Sequence, residues 1–161
     1  PDSGASINQE DYVGLLIRSC LALNAWPDEA SWSMNLTPVD YVAQVFTHTA
    51  IHGQALGSPP VQHLYNPAAN LKWTQLCAWI QTLLGPTQYA PLPLEQWQAR
   101  LKEQAPGKAV LQRTLLILPM IIDDFSYFNP PPPLLLDHLE CPVIDAEWTQ
   151  QYLTALNLTQ E

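Results

Sequence analysis

His48 and His52 stand one helical turn apart, the spacing at which two imidazoles can share a metal ion. Position 49 is threonine, so the glutamate of a His-Glu-x-x-His site is missing, and the plainer reading is two packed or half-exposed histidines. Asp123 and Asp124 offer carboxylates to a cation but lack the glycine turn and distal glutamate of a calcium loop; they read as loop acids at a helix end. Ser31, Ser33 and Ser58 sit in no Gly-x-Ser-x-Gly elbow, which argues against a hydrolase triad. Cys77 falls on an apolar helical stripe and reads as core rather than nucleophile. The glycines never form the turn that lets a backbone approach a pyrophosphate, so no dinucleotide site is expected in the chain itself. No tyrosine has a lysine four residues later to lower its pKa. The aromatic residues Trp26, Trp32, Tyr89, Phe125, Tyr127 and Phe128 fall in predicted loops, where they suit either ordinary packing or the wall of an apolar tunnel. On residues alone, the chain is a mostly helical module without a complete catalytic set.

The elements that must position these residues are read from periodicity and caps. Asn8 can cap a helix carrying Tyr12, Leu15, Leu16, Cys20 and Leu23, with Asp11 reaching back toward its start and an end near Asn24. Pro27 to Leu36 reads as a surface loop with aromatic anchors, followed by a short strand around Met34 to Leu36. Thr37 is placed as an N-cap, Pro38 as the first helical residue and Asp40 in the first turn of a helix running toward Gln54. That helix is apolar all round and is expected to be covered on both faces. Val61 to Tyr65 suits a strand between proline-bounded turns. Trp73 to Leu84 forms a helix stopped at Gly85-Pro86, and a shorter one begins near Pro93 and ends at Pro106-Gly107. Val110 to Leu118 marks the next, which Pro119 should kink or end. Asp145 caps a last helix with Trp148, Tyr152 and Leu156. The run Asn129 to Pro133 reads as a stiff extended connector.

The total is a mainly α chain with about six helices and two or three short strands, too few for a free-standing doubly wound sheet. A length of 161 residues suits one domain with its own core. Charged residues make up 13%, against about 25% in typical soluble domains, so the surface should hold a partner. The net charge of −9 has the wrong sign for a phosphate backbone or an anionic membrane, and neither nucleic acid nor membrane is expected as a partner. The longest apolar run, Leu115 to Ile122, is far shorter than the ~20 residues of a membrane span. Cys20, Cys77 and Cys141 are widely spaced with no Cys-x-x-Cys pair, which fits a reducing, cytoplasmic setting. The chain starts at Pro1 without a signal peptide and reads as a piece of a longer polypeptide.

A set of phrases in fixed order carries a resemblance. They are Thr37-Pro38-Val39-Asp40-Tyr41-Val42-Ala43, Leu64-Tyr65-Asn66-Pro67, Trp73 with Leu76 and Trp79, Glu95 with Trp97, and Cys141-Pro142-Val143-Ile144-Asp145 with Tyr152-Leu153. Ser3-Gly4-Ala5 and Asn8 add a fainter echo at the start. Together they resemble the C-terminal part of the thioester reductase domains that end nonribosomal peptide synthetases, polyketide synthases and carboxylic acid reductases. Two departures are Lys72, where the family often has a serine cap, and the shortened turn Gly85-Pro86.

The resemblance implies the C-terminal substrate-binding lobe of an extended short-chain reductase, residues 1–161 forming a single subdomain without the Rossmann half. The parent would use NADPH, bound upstream, and none would bind in this chain. The implied partners are the upstream Rossmann subdomain and a phosphopantetheinylated acyl or peptidyl carrier domain. The whole enzyme would release a carrier-bound thioester as an aldehyde or alcohol. Within this lobe, Trp32 and Met34 on one side and Phe125, Tyr127 and Phe128 on the other are the candidate substrate-binding residues, flanking the mouth of an acyl tunnel; no catalytic residue is assigned. Two alternatives stay open: the lobe of another extended reductase or epimerase, such as a fatty acyl-CoA reductase, or a non-catalytic interaction module.

Overall fold

A helix buried on nearly all sides organises the chain. α1 (Tyr12–Leu23) places Val13, Leu15, Leu16, Ile17, Ser19, Cys20 and Leu23 out of contact with solvent. It begins at Asp11, whose carboxylate accepts the Gly14 N–H at 2.8 Å, and ends at Asn24 in the left-handed region, φ 49°. Asp11 is therefore the cap itself, one turn inside the start expected at Asn8. The computed structural model describes residues 11–52, 64, 66, 71–85, 89–127 and 139–156, with the backbone of Tyr127. Asn8, Phe128, the run Asn129 to Pro133 and, but for Leu64, the predicted strand Val61 to Tyr65 lie outside these; Leu64 is in no strand.

Among the described residues there are six helices and four short strands. β1 (Ala25–Pro27) pairs in parallel with β4 (Ala90–Leu92), and β2 (Ser33–Met34) pairs antiparallel with β3 (Leu71–Lys72). The register of the first pair sets Trp26 against Pro91 and Pro27 against Leu92, a place that proline tolerates because each strand has a free edge. α3 (Trp73–Leu84) follows β3 directly and stops at Gly85, whose φ of 85° favours glycine. α4 (Leu94–Gln104) starts after Pro93. α5 (Ala109–Tyr127) and α4 pack against α1, while α6 (Ala146–Ala155) packs against α3. Asp145 caps α6 by accepting the Trp148 N–H at 2.9 Å.

Two buried tryptophans fix β1 to the helices around it. The indole N–H of Trp97 donates to the Ala25 carbonyl at 3.0 Å, and that of Trp73 to the Pro27 carbonyl at 2.9 Å. Burying a polar indole without a partner would cost free energy, so each aromatic anchor also sets a strand end. Between α1 and α5 the Ser19 and Thr114 hydroxyls bond at 2.8 Å, and Thr114 donates to the Leu15 carbonyl at 3.3 Å. At the other end of α1, a Cβ on Gly14 would lie 3.3 Å from Leu156 Cδ2, so glycine permits the close approach of the end of α6.

Pro119 does not end α5, which continues to Tyr127. The proline ring is exposed, whereas Ile121 and Phe125 beyond it are buried at 0% and 1% exposure. Burial of those two side chains contributes roughly 3–6 kcal/mol, which offsets the ~3 kcal/mol cost of an interior proline. Asp123, Asp124 and Phe125 are consequently on a helix, as is the Tyr127 backbone, and not in a loop.

α2 (Val39–His52) starts one residue later than expected. The Pro38 carbonyl accepts the Val42 N–H at 3.2 Å, which makes Pro38 the capping position. Only Tyr41 and Val45 are buried on this helix, and neither belongs to the main core cluster. Val39 is 74% exposed and Phe46 69%, so one face is covered and not both.

Leu111 is fully buried between α5 and the rest of the core, while Leu116 is 81% exposed on the same helix. Leu111→Ala should destabilise the chain by about 2–5 kcal/mol. Leu116→Ala should change stability by no more than about 0.5 kcal/mol. Urea unfolding followed by tryptophan fluorescence measures both; equal costs would contradict the assignment of α5's inner face.

Candidate functional site

The three phrases Asn35 to Ala43, Leu64 to Pro67 and Cys141 to Asp145 meet at Asn66, which is 1% exposed. Its backbone N–H donates to both Asn35 Oδ1 and Thr37 Oγ1 at 2.9 Å. In return, Asn35 Nδ2 donates to the Asn66 carbonyl at 2.8 Å, so one side-chain amide pairs with one backbone unit as a neighbouring strand would. Asn66 Nδ2 donates to the Leu36 carbonyl at 3.2 Å and, more weakly, to that of Pro142 at 3.4 Å. The Thr37 hydroxyl donates to Asn35 Oδ1 at 2.7 Å. Thr37 therefore joins segments distant in sequence, where a helix cap was expected. Nothing local in the sequence marks this knot; only the Asn-x-Thr and Asn-Pro spellings hint that these side chains bond to backbone.

The candidate substrate-binding residues from the two flanking segments come together. Trp32 meets Phe125 edge-on with ring centroids 5.4 Å apart, and Trp73 closes the group at 6.1 Å from Trp32 and 6.5 Å from Phe125. Trp32 and Phe125 are each 1% exposed and Met34 is 2%, so all three stand inside the core, without a solvent-facing surface. Only the backbone of Tyr127 is described, and Phe128 falls outside the described residues. Trp26 stacks on Tyr89 at 5.6 Å, half-buried at the β1 and β4 edge.

The thiols and phenols near this core have raised pKa values, which favours their neutral forms. Burial pushes the Cys20 thiol well up, with Cys77 adding to it; burial also raises Cys77 and Cys141. The phenol of Tyr152 is raised by burial and then by Asp11, whose carboxylate accepts its proton at 3.0 Å. Burial raises Tyr12, helped by Asp124 and Asp11, and raises Tyr41, helped by Cys141. A raised pKa favours the protonated form of each of these thiols and phenols. His48 and His52 do lie together, with ring centroids 4.8 Å apart. Among the described residues no three metal-ligating side chains cluster, and no helix is long and apolar enough to cross a membrane.

This architecture defines a mainly α lobe carrying two small two-stranded sheets. It is similar to the crystal structure of the terminal R domain from the myxalamid PKS-NRPS biosynthetic pathway, with a TM-score of 0.70 and 23% sequence identity over 96% of this chain. The chain spans 39% of the length of that one. The mainly α fold with a few short strands expected from the sequence is the fold observed, and it is shared with part of that terminal R domain. No protein-family profile matches the sequence, and no curated protein matches it.

The Asn66 knot is the main polar attachment described for α2. Asn35→Ala removes three of its hydrogen bonds and should cost about 1–3 kcal/mol. Hydrogen exchange should then quicken in α2 while α1 keeps its protection; unchanged α2 exchange would show that other contacts hold the helix.

Raised thiol and phenol pKa values set the sign of the alkaline limb. The unfolded chain releases these protons near pH ~8.5 for thiols and ~10 for phenols, whereas the folded chain keeps them. For the well-buried Cys20, Cys77 and Tyr152 that contribution is fully present below those values and falls as pH rises through them, by up to about 1.4 kcal/mol per pH unit for each. Urea midpoints measured from neutral to alkaline pH should fall, and Cys20→Ala together with Tyr152→Phe should flatten the fall.

Proposed function

We propose that this chain is the substrate- and carrier-binding part of an NADPH-dependent reductase that releases a carrier-bound acyl or peptidyl thioester as an aldehyde or alcohol. The observation that carries the reading is a likeness running through 96% of the chain to part of one terminal R domain, joined to the ordered phrases that converge on Asn66. NADPH would supply the hydride and is assigned to an upstream Rossmann subdomain, since this chain's glycines never form a pyrophosphate turn.

The contribution of this lobe is positioning. Asn66 fixes the start of α2 against the Cys141-Pro142 segment, and the packed rings of Trp32, Trp73 and Phe125 give a rigid backing on which an acyl tunnel can be built. Rigid support matters because holding a thioester carbonyl in line with its reactant supplies much of the rate of such a reaction. Substrate contacts would then come from side chains lying on that backing; Tyr127 and Phe128 remain candidates from the sequence alone. The low proportion of charged residues, 13%, suits a lobe that faces other domains.

The test is titration of a phosphopantetheinylated acyl-carrier domain and of NADPH into this chain and into the longer natural polypeptide, with aldehyde release followed in the latter. Carrier binding by the lobe, NADPH binding by the long form alone and aldehyde release are expected. Turnover of free coenzyme A thioesters in preference to carrier-bound ones would assign the lobe to a fatty acyl-CoA reductase type instead. Failure of the long form to bind NADPH or reduce any of several acyl groups would leave an interaction module.

A further inference from the structure

The one motif left unused by the proposed function is the histidine pair on the last turn of α2. His48 and His52 are separated by four residues, so their side chains project from the same face, and their rings lie 4.8 Å apart between centroids at an angle of 51°. His52 is exposed and His48 is half-buried. Nδ1 of His48 is withdrawn from solvent and has no hydrogen-bond partner among the described residues. A ring nitrogen in that position is costly unless something ligates it, and an ion is one of the few groups able to do so.

We infer that His48 and His52 form a two-imidazole site for a divalent transition-metal ion of the zinc, nickel and copper class. Two nitrogens bound to one tetrahedral ion stand roughly 3.3 Å apart, a separation that rings with 4.8 Å between centroids reach by small side-chain rotations. Imidazole selects these borderline ions and disfavours magnesium and calcium, which take oxygen ligands. Among the described residues no third metal ligand joins the pair, so the remaining positions fall to water or to an exogenous ligand. Such a site is labile and not a structural zinc centre. Its position has a mechanical consequence. The start of α2 is tied down at the Asn66 knot, and an ion bridging one turn at the other end would clamp the helix's last turn.

The inference is independent of the reductase reading and is tested on the whole chain. Zn²⁺ and Ni²⁺ are titrated calorimetrically, with Mg²⁺ as the contrast, into the wild type and into His48→Ala, His52→Ala and Cys141→Ser. Saturable binding of Zn²⁺ and Ni²⁺ but not Mg²⁺ is expected. Loss of one imidazole should weaken it on the order of a hundredfold, because the second ligand binds intramolecularly. Cys141→Ser should bind as the wild type does, and Zn²⁺ should raise the thermal midpoint of the wild type but not of His52→Ala. His52 is exposed, so its replacement leaves the fold intact and keeps the test decisive. Equal affinity in His52→Ala, loss of binding in Cys141→Ser, or no saturable binding by the wild type would each overturn the site.

Discussion

A single buried backbone N–H, that of Asn66, carries the constraint on which the placement of α2 rests. It is shared between Asn35 Oδ1 and Thr37 Oγ1, and the Asn66 side chain reaches on to Leu36 and Pro142. A donor this far from water must be paired, so three segments separated by about thirty and seventy-six residues are held in one arrangement or the group goes unsatisfied. The main apolar cluster does not perform this task, because it contains neither Tyr41 nor Val45. Hydrophobic burial thus builds the body of the lobe, while a polar knot sets the angle at which α2 leaves it.

The body itself is organised by the opposite kind of constraint. α1 is surrounded, so its polar side chains are satisfied from neighbouring elements, as Ser19 is by Thr114. It is tied to α6 and the residue after it at two points: its cap Asp11 accepts the Tyr152 hydroxyl, and Arg18 donates to the Leu156 carbonyl at 3.1 Å. The first and last described helices are therefore joined by charge-assisted hydrogen bonds as well as by apolar contact. The aromatic group of Trp32, Trp73 and Phe125 fills the side of α1 facing β2 and β3 with large rings, each nearly or wholly out of contact with solvent.

What was legible in the sequence follows the range of the interaction that decides it. Caps are local, and Asp145, Gly85 and Asn24 stand where the pattern put them. Thr37 is not the cap that its local pattern suggests, and α5 does not end at Pro119, because contacts outside the local pattern decide both. The Thr37 hydroxyl is taken up by Asn35 and Asn66, and Pro119 is outweighed by the burial of Ile121 and Phe125. The strands β1 to β4 are two or three residues long, and their pairing is non-local, so periodicity had little to work on. The candidate site shows the same limit. The sequence puts Trp32 and Phe125 in loops at a tunnel mouth, whereas both rings are buried and pack together, because composition alone does not say whether a ring lines a space or fills one.

That distinction bears on the mechanics of the lobe. A tunnel wall made of loosely held loop aromatics would shift with each acyl group, whereas rings interlocked at 5.4 Å and 6.1 Å resist displacement because dense packing transmits strain. Movement within the lobe is then easier outside this interlock. The large apolar side chains left exposed are on α2 (Val39, Phe46, Ile51), on α5 (Leu116, Met120) and at Val143. None of them belongs to the core cluster, so covering them would add contact without completing the fold. The interior is thus closed by interlocked rings, the apolar side chains left over lie on the periphery, and the polar knot rather than the core holds the start of α2 in place.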